Sequence, residues 1–233
     1  MTAAPSASRP GPPGNKKLMP ARLMSAVVRH LDLVSALILI MFAVVLGKDF
    51  LSAVRFDQEK IEVWAVDGQI QVRGLYHYEN RTILPVSFSL GLPFPVDLDH
   101  PVPSTFSVTE TDATGTRQPL SVRSYHGNNV FWLIFWPKQA RWIQVDYVQR
   151  TRAESGRYIL QTTRKWKRAL DRGEYILHLG NGLALTSSTY QLKQDPVGNQ
   201  NTYFFSRVNF YPNEDWRFAW CQTASMITLG RKQ

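Results

Sequence analysis

The chain has 233 residues, 44% hydrophobic and 12% aromatic, enough apolar material for one packed domain plus an appendage, which excludes a wholly disordered chain. Its formal charge of +9 invites an anionic partner, but the charge is local: residues 1–47 hold five Lys and Arg against one Asp, and residues 141–172 hold nine against three acids. A single cysteine, Cys221, excludes an intrachain disulfide, so the core alone must hold the fold.

The opening stretch MTAAPSASRPGPPGNKKLMP cannot bury a core, and residues 1–22 are expected to form a disordered cytoplasmic tail. Residues 23–54 read as a single transmembrane signal-anchor helix. Its uncharged run, Leu33 to Gly47, covers about 22 Å as a helix, against a hydrocarbon core of roughly 30 Å. Lys48 snorkels outward while Phe50, Leu51 and Val54 extend the apolar surface, and Arg29, with His30 and Asp32, marks the opposite headgroup level. A core helix would show a polar stripe where this run has only Ser35. A cleaved signal peptide would need small residues where VLGKDFLSA places Lys48 and Asp49. Lys16, Lys17, Arg22 and Arg29 ahead of the segment put the N-terminus in the cytoplasm and residues 55–233 in a periplasm-like space.

From Glu59 onward the pattern has period two, broken by Pro, Gly, Asn and Asp. Strands are expected at 60–66 and 69–79, joined by an Asp67-Gly68 turn. Others follow at 82–90, 104–111, 118–125, 129–136, 141–149, 157–163, 174–180, 188–194, 201–211 and 216–220. No long amphipathic helix interrupts them, which describes an all-β sandwich-like extracytoplasmic domain. Alternation is sharpest at Ile143, Val145 and Tyr147 against Gln144 and Asp146. The run VFWLIF reads as a strand buried on both faces, or one whose outer face meets a partner.

Catalytic signatures are missing. There is no HExxH, CxxC, P-loop, GxSxG or GxGxxG, so the chain reads as non-enzymatic and no cofactor is indicated. His77 and His178 fall on strands as hydrogen-bonded or surface histidines. Asp97, Asp99 and His100 could offer ligands to a divalent cation, although LPFPVDLDHPVP describes a rigid exposed loop with solvated charges. Glu214 and Asp215 read as a turn or cap, and Asn80-Arg81-Thr82 matches the N-glycosylation pattern.

The most basic stretch is TRKWKRALDR, residues 163–172. Thr162 or Thr163 can cap a short helical turn that sets Trp166 and Leu170 against the domain, leaving Arg164, Lys165, Lys167 and Arg168 in solvent. Topology argues against nucleic acid as partner, since an exported domain seldom meets it and no reading module surrounds the run. Arg164, Lys165, Trp166, Lys167, Arg168 and Arg172 are therefore the expected docking surface, for an acidic face of another subunit or for anionic lipid headgroups. Together these features favour a non-catalytic structural or assembly subunit of a larger membrane complex, respiratory or photosynthetic in kind. The alternative is a membrane-anchored binding or sensor module that holds a small ligand or glycan in an aromatic cleft, for which seven Trp and nine Tyr are available.

Overall fold

The computed structural model describes residues 53–66, 68–111, 115–125, 128–196 and 201–223. The expected hairpin is present as β1 (Val54–Val66) and β2 (Gln69–Asn80), with Gly68 at the positive φ of 68° that a tight turn demands. There follow β3 (Val86–Gly91), β4 (Thr105–Thr111), β5 (Arg117–Pro119), β6 (Arg123–Tyr125), β7 (Asn128–Phe135), β8 (Ala140–Arg150) and β9 (Ser155–Tyr158). A 3-10 helix at Gln161–Trp166 leads into β10 (Leu170–Leu179), β11 (Leu183–Ser188), β12 (Lys193–Gln194), β13 (Thr202–Phe210) and β14 (Trp216–Gln222).

These strands make an all-β, sandwich-like domain. The large sheet runs β12-β13-β10-β1-β2-β8-β4-β5, antiparallel throughout except where β1 lies parallel to β10. Two three-stranded sheets, β3-β7-β6 and β11-β14-β9, cover its inner face. Trp216 of β14 stands edge-on to Tyr175 at 5.9 Å and to Phe205 at 5.4 Å, while Phe88 of β3 meets Tyr78 at 6.2 Å. The core sits between the layers because alternate positions of each strand point inward: Ile61, Val63 and Ala65 in β1, Ile70 and Val72 in β2, and Ile143, Val145 and Tyr147 in β8 are all buried.

Several expectations change. Residues 118–125 are not one strand: β5 pairs with β4 in the large sheet, and β6 pairs with β7 in a small one. The run VFWLIF is buried on one face only. Phe131, Leu133 and Phe135 are core residues, whereas Trp132, Ile134 and Trp136 are 47%, 56% and 61% exposed, because nothing within the described residues covers the outer side of that sheet. Val54, expected to extend an anchor helix, instead opens β1 and is buried opposite Asn80. Among the described residues no helix is long and apolar enough to cross a membrane. The expected tail, the apolar run from Leu33 to Gly47, Arg29 and Lys48 lie outside the described residues.

Candidate functional site

A β-bulge in β1 sets the floor of the site. The register against β2 shifts between Phe56 and Gln58, so the inward-facing parity switches across Asp57. Phe56 and Glu59, three positions apart, can then both face the interior, where a regular strand would send one of them to the other face. Two glycines make room beside them. Tyr76 folds back over Gly74 in β2, and Tyr175 does the same over Gly173 in β10, where a Cβ would stand 2.7 Å from the Tyr175 hydroxyl. The register pairs Glu59 with Tyr76 on one side and with Gly173 on the other, so the two aromatic rings flank its carboxylate.

The opposite wall depends on Asp215. Its Oδ1 accepts the backbone N–H of Leu160 at 3.1 Å and of Gln161 at 3.2 Å, capping the 3-10 helix from a distant segment. Its Oδ2 accepts from Arg157 at 2.6 Å and 3.0 Å. The acidic residue read as a turn or cap is a cap, although not of its own segment. The helix held in this way ends at Trp166, and Lys167 reverses the chain at a φ of 52°. Trp166 packs on Phe56 at 5.7 Å, on Tyr78 at 5.6 Å and on Phe88 at 6.3 Å.

Between these walls lies a cavity of about 480 Å³. Its deep part is made by Glu59, Val145, Tyr147 and Tyr158, all buried, and its mouth by Ser89, Gly91, Pro93 and Lys165, all exposed. Phe56, Tyr76, Tyr78, Phe94 and Trp166 complete an aromatic lining. The hydroxyls of Tyr76 and Tyr158 are 2.6 Å apart, and the Tyr175 hydroxyl donates to Glu59 Oε1.

Burial governs the electrostatics. It raises the Glu59 carboxyl from its ordinary 4.5 to about 7, against the opposing pull of the Tyr175 hydrogen bond. Burial first, and then the charge of Glu59, hold the hydroxyls of Tyr78 and Tyr175 well above their ordinary range. Burial likewise holds Tyr76, Tyr147 and Tyr158 high, so the cavity presents protonated phenols around one carboxyl. Among the described residues no Lys, Arg or His makes an ion pair with Glu59.

The residues expected to form one docking surface are distributed among several environments. Trp166 faces the core and Leu170 is buried, as the helical-turn reading required. The turn itself is a 3-10 helix whose N-cap, Leu160, makes no side-chain capping bond, so neither Thr162 nor Thr163 caps it. Arg164 lies over the Tyr211 ring at 5.4 Å, Lys165 reaches the cavity mouth, and Lys167 and Arg168 are exposed. Arg172 instead bonds Glu174 and lines a separate hollow of about 370 Å³ with Lys60 and Trp142.

The other candidates are structural. Asp97 Oδ1 accepts the backbone N–H of Asp99 at 3.0 Å and of His100 at 2.9 Å, and lies 2.8 Å from His100 Nδ1, an Asx turn in place of a cation site. Among the described residues no group of three or more His, Cys, Asp and Glu could hold a metal ion. His77 bonds Asp57 at 2.6 Å, and His178 stacks on Trp64 and bonds Thr202 at 3.1 Å. Asn80 is buried, with Nδ2 donating to the carbonyls of Leu84, Trp136 and Phe135, so its amide belongs to the fold and cannot take a glycan.

No family model matches the chain, and no curated protein matches it. Solved structures match it in fold. A crystal structure from Legionella pneumophila, described as a "putative nutrient binding protein", superposes with a TM-score of 0.56 at 14% identity, over 76% of this chain and 70% of that one. An M1 zinc metallopeptidase from Deinococcus radiodurans superposes at 0.42 and 8% identity, over 72% of this chain and 42% of the peptidase. The first likeness shows a shared fold. The expectation of an assembly subunit in a membrane complex is overturned: the fold is shared with a protein described as nutrient-binding, and the domain contains a cavity of about 480 Å³. Both findings favour the binding-module alternative.

Proposed function

We propose that this chain is a membrane-anchored, extracytoplasmic module that binds a small organic ligand in the aromatic cavity. The observation that carries the proposal is the cavity itself: about 480 Å³, lined by aromatic rings, with a single buried carboxylate among its deep groups. Ligand sites in proteins are typically concave, about 300–1,000 Å³, mostly apolar and furnished with a few convergent polar groups. The nutrient-binding description of the Legionella protein, which shares the fold, supports the same reading. The apolar segment from Leu33 to Gly47 supports a single N-terminal anchor with the β-domain outside the cytoplasm. The role is binding and not catalysis.

The test is differential scanning fluorimetry of the full chain in a nonionic detergent, against sugars, amino acids, amines and carboxylates, with Trp emission read in parallel. A ligand is expected to raise Tm and shift the emission in the wild type, and to do neither in Trp166→Leu. A broad library in which no compound moves either signal contradicts the proposal.

A further inference from the structure

The deep end of the cavity holds a buried carboxyl that, among the described residues, has no cation paired with it. Glu59 is 4% exposed, and its hydrogen-bond partner is the neutral Tyr175 hydroxyl. Removing an ionised carboxylate from water is costly unless a cation accompanies it. The described residues do not provide that cation where it would be expected. Lys165, among the described residues the only Lys or Arg in the cavity lining, is exposed at the mouth. On the outer side of the sheet Lys60 and Arg172 share the hollow that also touches Glu59, but Lys60 pairs with Glu62 at 2.8 Å and Arg172 with Glu174. The groups around Glu59 are phenols: Tyr76 and Tyr78 from β2, Tyr147 from β8 and Tyr158 from β9 in the cavity lining, and Tyr175 from β10, which donates to its carboxylate from outside that lining.

The rest of the lining has the chemistry that receives a cation. Phe56, Tyr78 and Trp166 pack on one another with ring centroids 5.1–5.7 Å apart and together line the cavity, and ring surface turned to the cavity attracts ammonium groups. The phenol oxygens can accept hydrogen bonds from ammonium N–H groups. An anionic ligand would be repelled by an ionised Glu59, a neutral one would leave the carboxyl protonated, and only a cation is favoured by its ionisation.

We infer that the ligand of this cavity is a small organic ammonium ion, a positively charged nitrogen bearing apolar substituents, with Glu59 as its counter-charge and the Phe56–Tyr78–Trp166 cluster as an aromatic wall beside it. This rests on the binding-module reading and goes further by naming the ligand class. Binding of the cation draws the Glu59 carboxyl back to its ionised form, so complex formation releases a proton and strengthens as pH rises through the titration of Glu59.

The test compares charged probes with neutral isosteres on the full chain in nonionic detergent. Choline is set against 3,3-dimethylbutan-1-ol, and n-butylammonium against 1-butanol, by Trp fluorescence titration. At pH 7.5 each cation is expected to bind at least about tenfold tighter than its isostere, the size of effect a desolvated cation–π contact and ion pair provide. Lowering the pH to 5.5 should weaken cation binding by about tenfold or more, since a carboxyl titrating near 7 is then almost wholly protonated. Glu59→Gln should abolish both the preference for charge and the pH dependence. The comparison of isosteres and the pH series need only the wild type, so they decide the matter even if the variant does not fold. Equal affinity for cation and isostere, or undiminished cation binding by a folded Glu59→Gln protein, overturns the inference. Neutral or anionic compounds binding in the cavity while ammonium probes do not would overturn the ligand class and leave the binding module standing. If no compound of any charge binds, the binding module falls with it.

Discussion

Replacing Glu59 by Gln keeps the shape of the side chain and removes its titration, which isolates the cost of the buried carboxylate. Burial raises this group from 4.5 to about 7 in the folded protein. A carboxyl that is held protonated on folding contributes its full stability below pH 4.5 and loses it as pH rises through about 7. At 1.36 kcal/mol per pH unit the whole effect is about 3 kcal/mol, most of which disappears between pH 5 and pH 8. Urea unfolding of wild type and variant across that range measures it directly. Asp97, held low by its hydrogen bond from His100, and His178, held low by burial, titrate in both proteins and cancel in the difference. Glu59→Gln is therefore expected to gain roughly 2–3 kcal/mol on the wild type between pH 5 and pH 8. Parallel profiles for the two proteins would refute the reasoning, because Glu59 would then ionise as an ordinary surface carboxylate does.

Three further substitutions probe the frame around the cavity. Asp215→Asn removes the ion pair to Arg157 and weakens the cap on Leu160 and Gln161, and should cost about 2–3 kcal/mol. It should also shift Trp emission to the red as the helix carrying Trp166 loosens; an unchanged Tm and spectrum would remove Asp215 from its positioning role. Gly156→Ala drives a Cβ into the buried Phe218 ring and is expected to lower stability by about 1–3 kcal/mol, part of it regained by adding Phe218→Leu; a neutral effect in urea unfolding would show that the ring moves freely. Asn80→Ala removes an amide whose two N–H groups are shared among three carbonyls of a buried turn and should cost about 2 kcal/mol or more. In a glycosylating host the wild-type chain should show no mobility change on N-glycosidase treatment, and a shift would place Asn80 at the surface.

Much of the frame was legible in the sequence. The period-two pattern located the β1–β2 hairpin and the inward face of β8, because Ile143, Val145 and Tyr147 alternate cleanly with polar neighbours. It also placed Trp166 against the domain with cations around it, which the exposure of Lys167 and Arg168 matches. The site itself was less visible. Glu59 lies just before the expected strand at 60–66, next to a bulge that breaks the alternation, so its inward direction has no local signal. Tyr76, Tyr158 and Trp166 meet only because distant strands take a particular register, and register is a long-range property. One local clue existed: Gly-x-Tyr occurs at residues 74–76, 156–158 and 173–175, and in the first and last of these the glycine makes space for the ring two positions on, whereas Gly156 makes space for Phe218. VFWLIF was ambiguous for a different reason, since a continuous apolar run does not show which face is covered.

The central claim is that the cavity is the binding site, and a crystal structure of the chain with its most stabilising compound tests it most directly. The expected result is ligand density inside the cavity, against Trp166 and Tyr78, with a ligand cation within reach of Glu59. An empty cavity with the compound seated elsewhere, such as on the exposed face of Trp132 and Trp136, would contradict it.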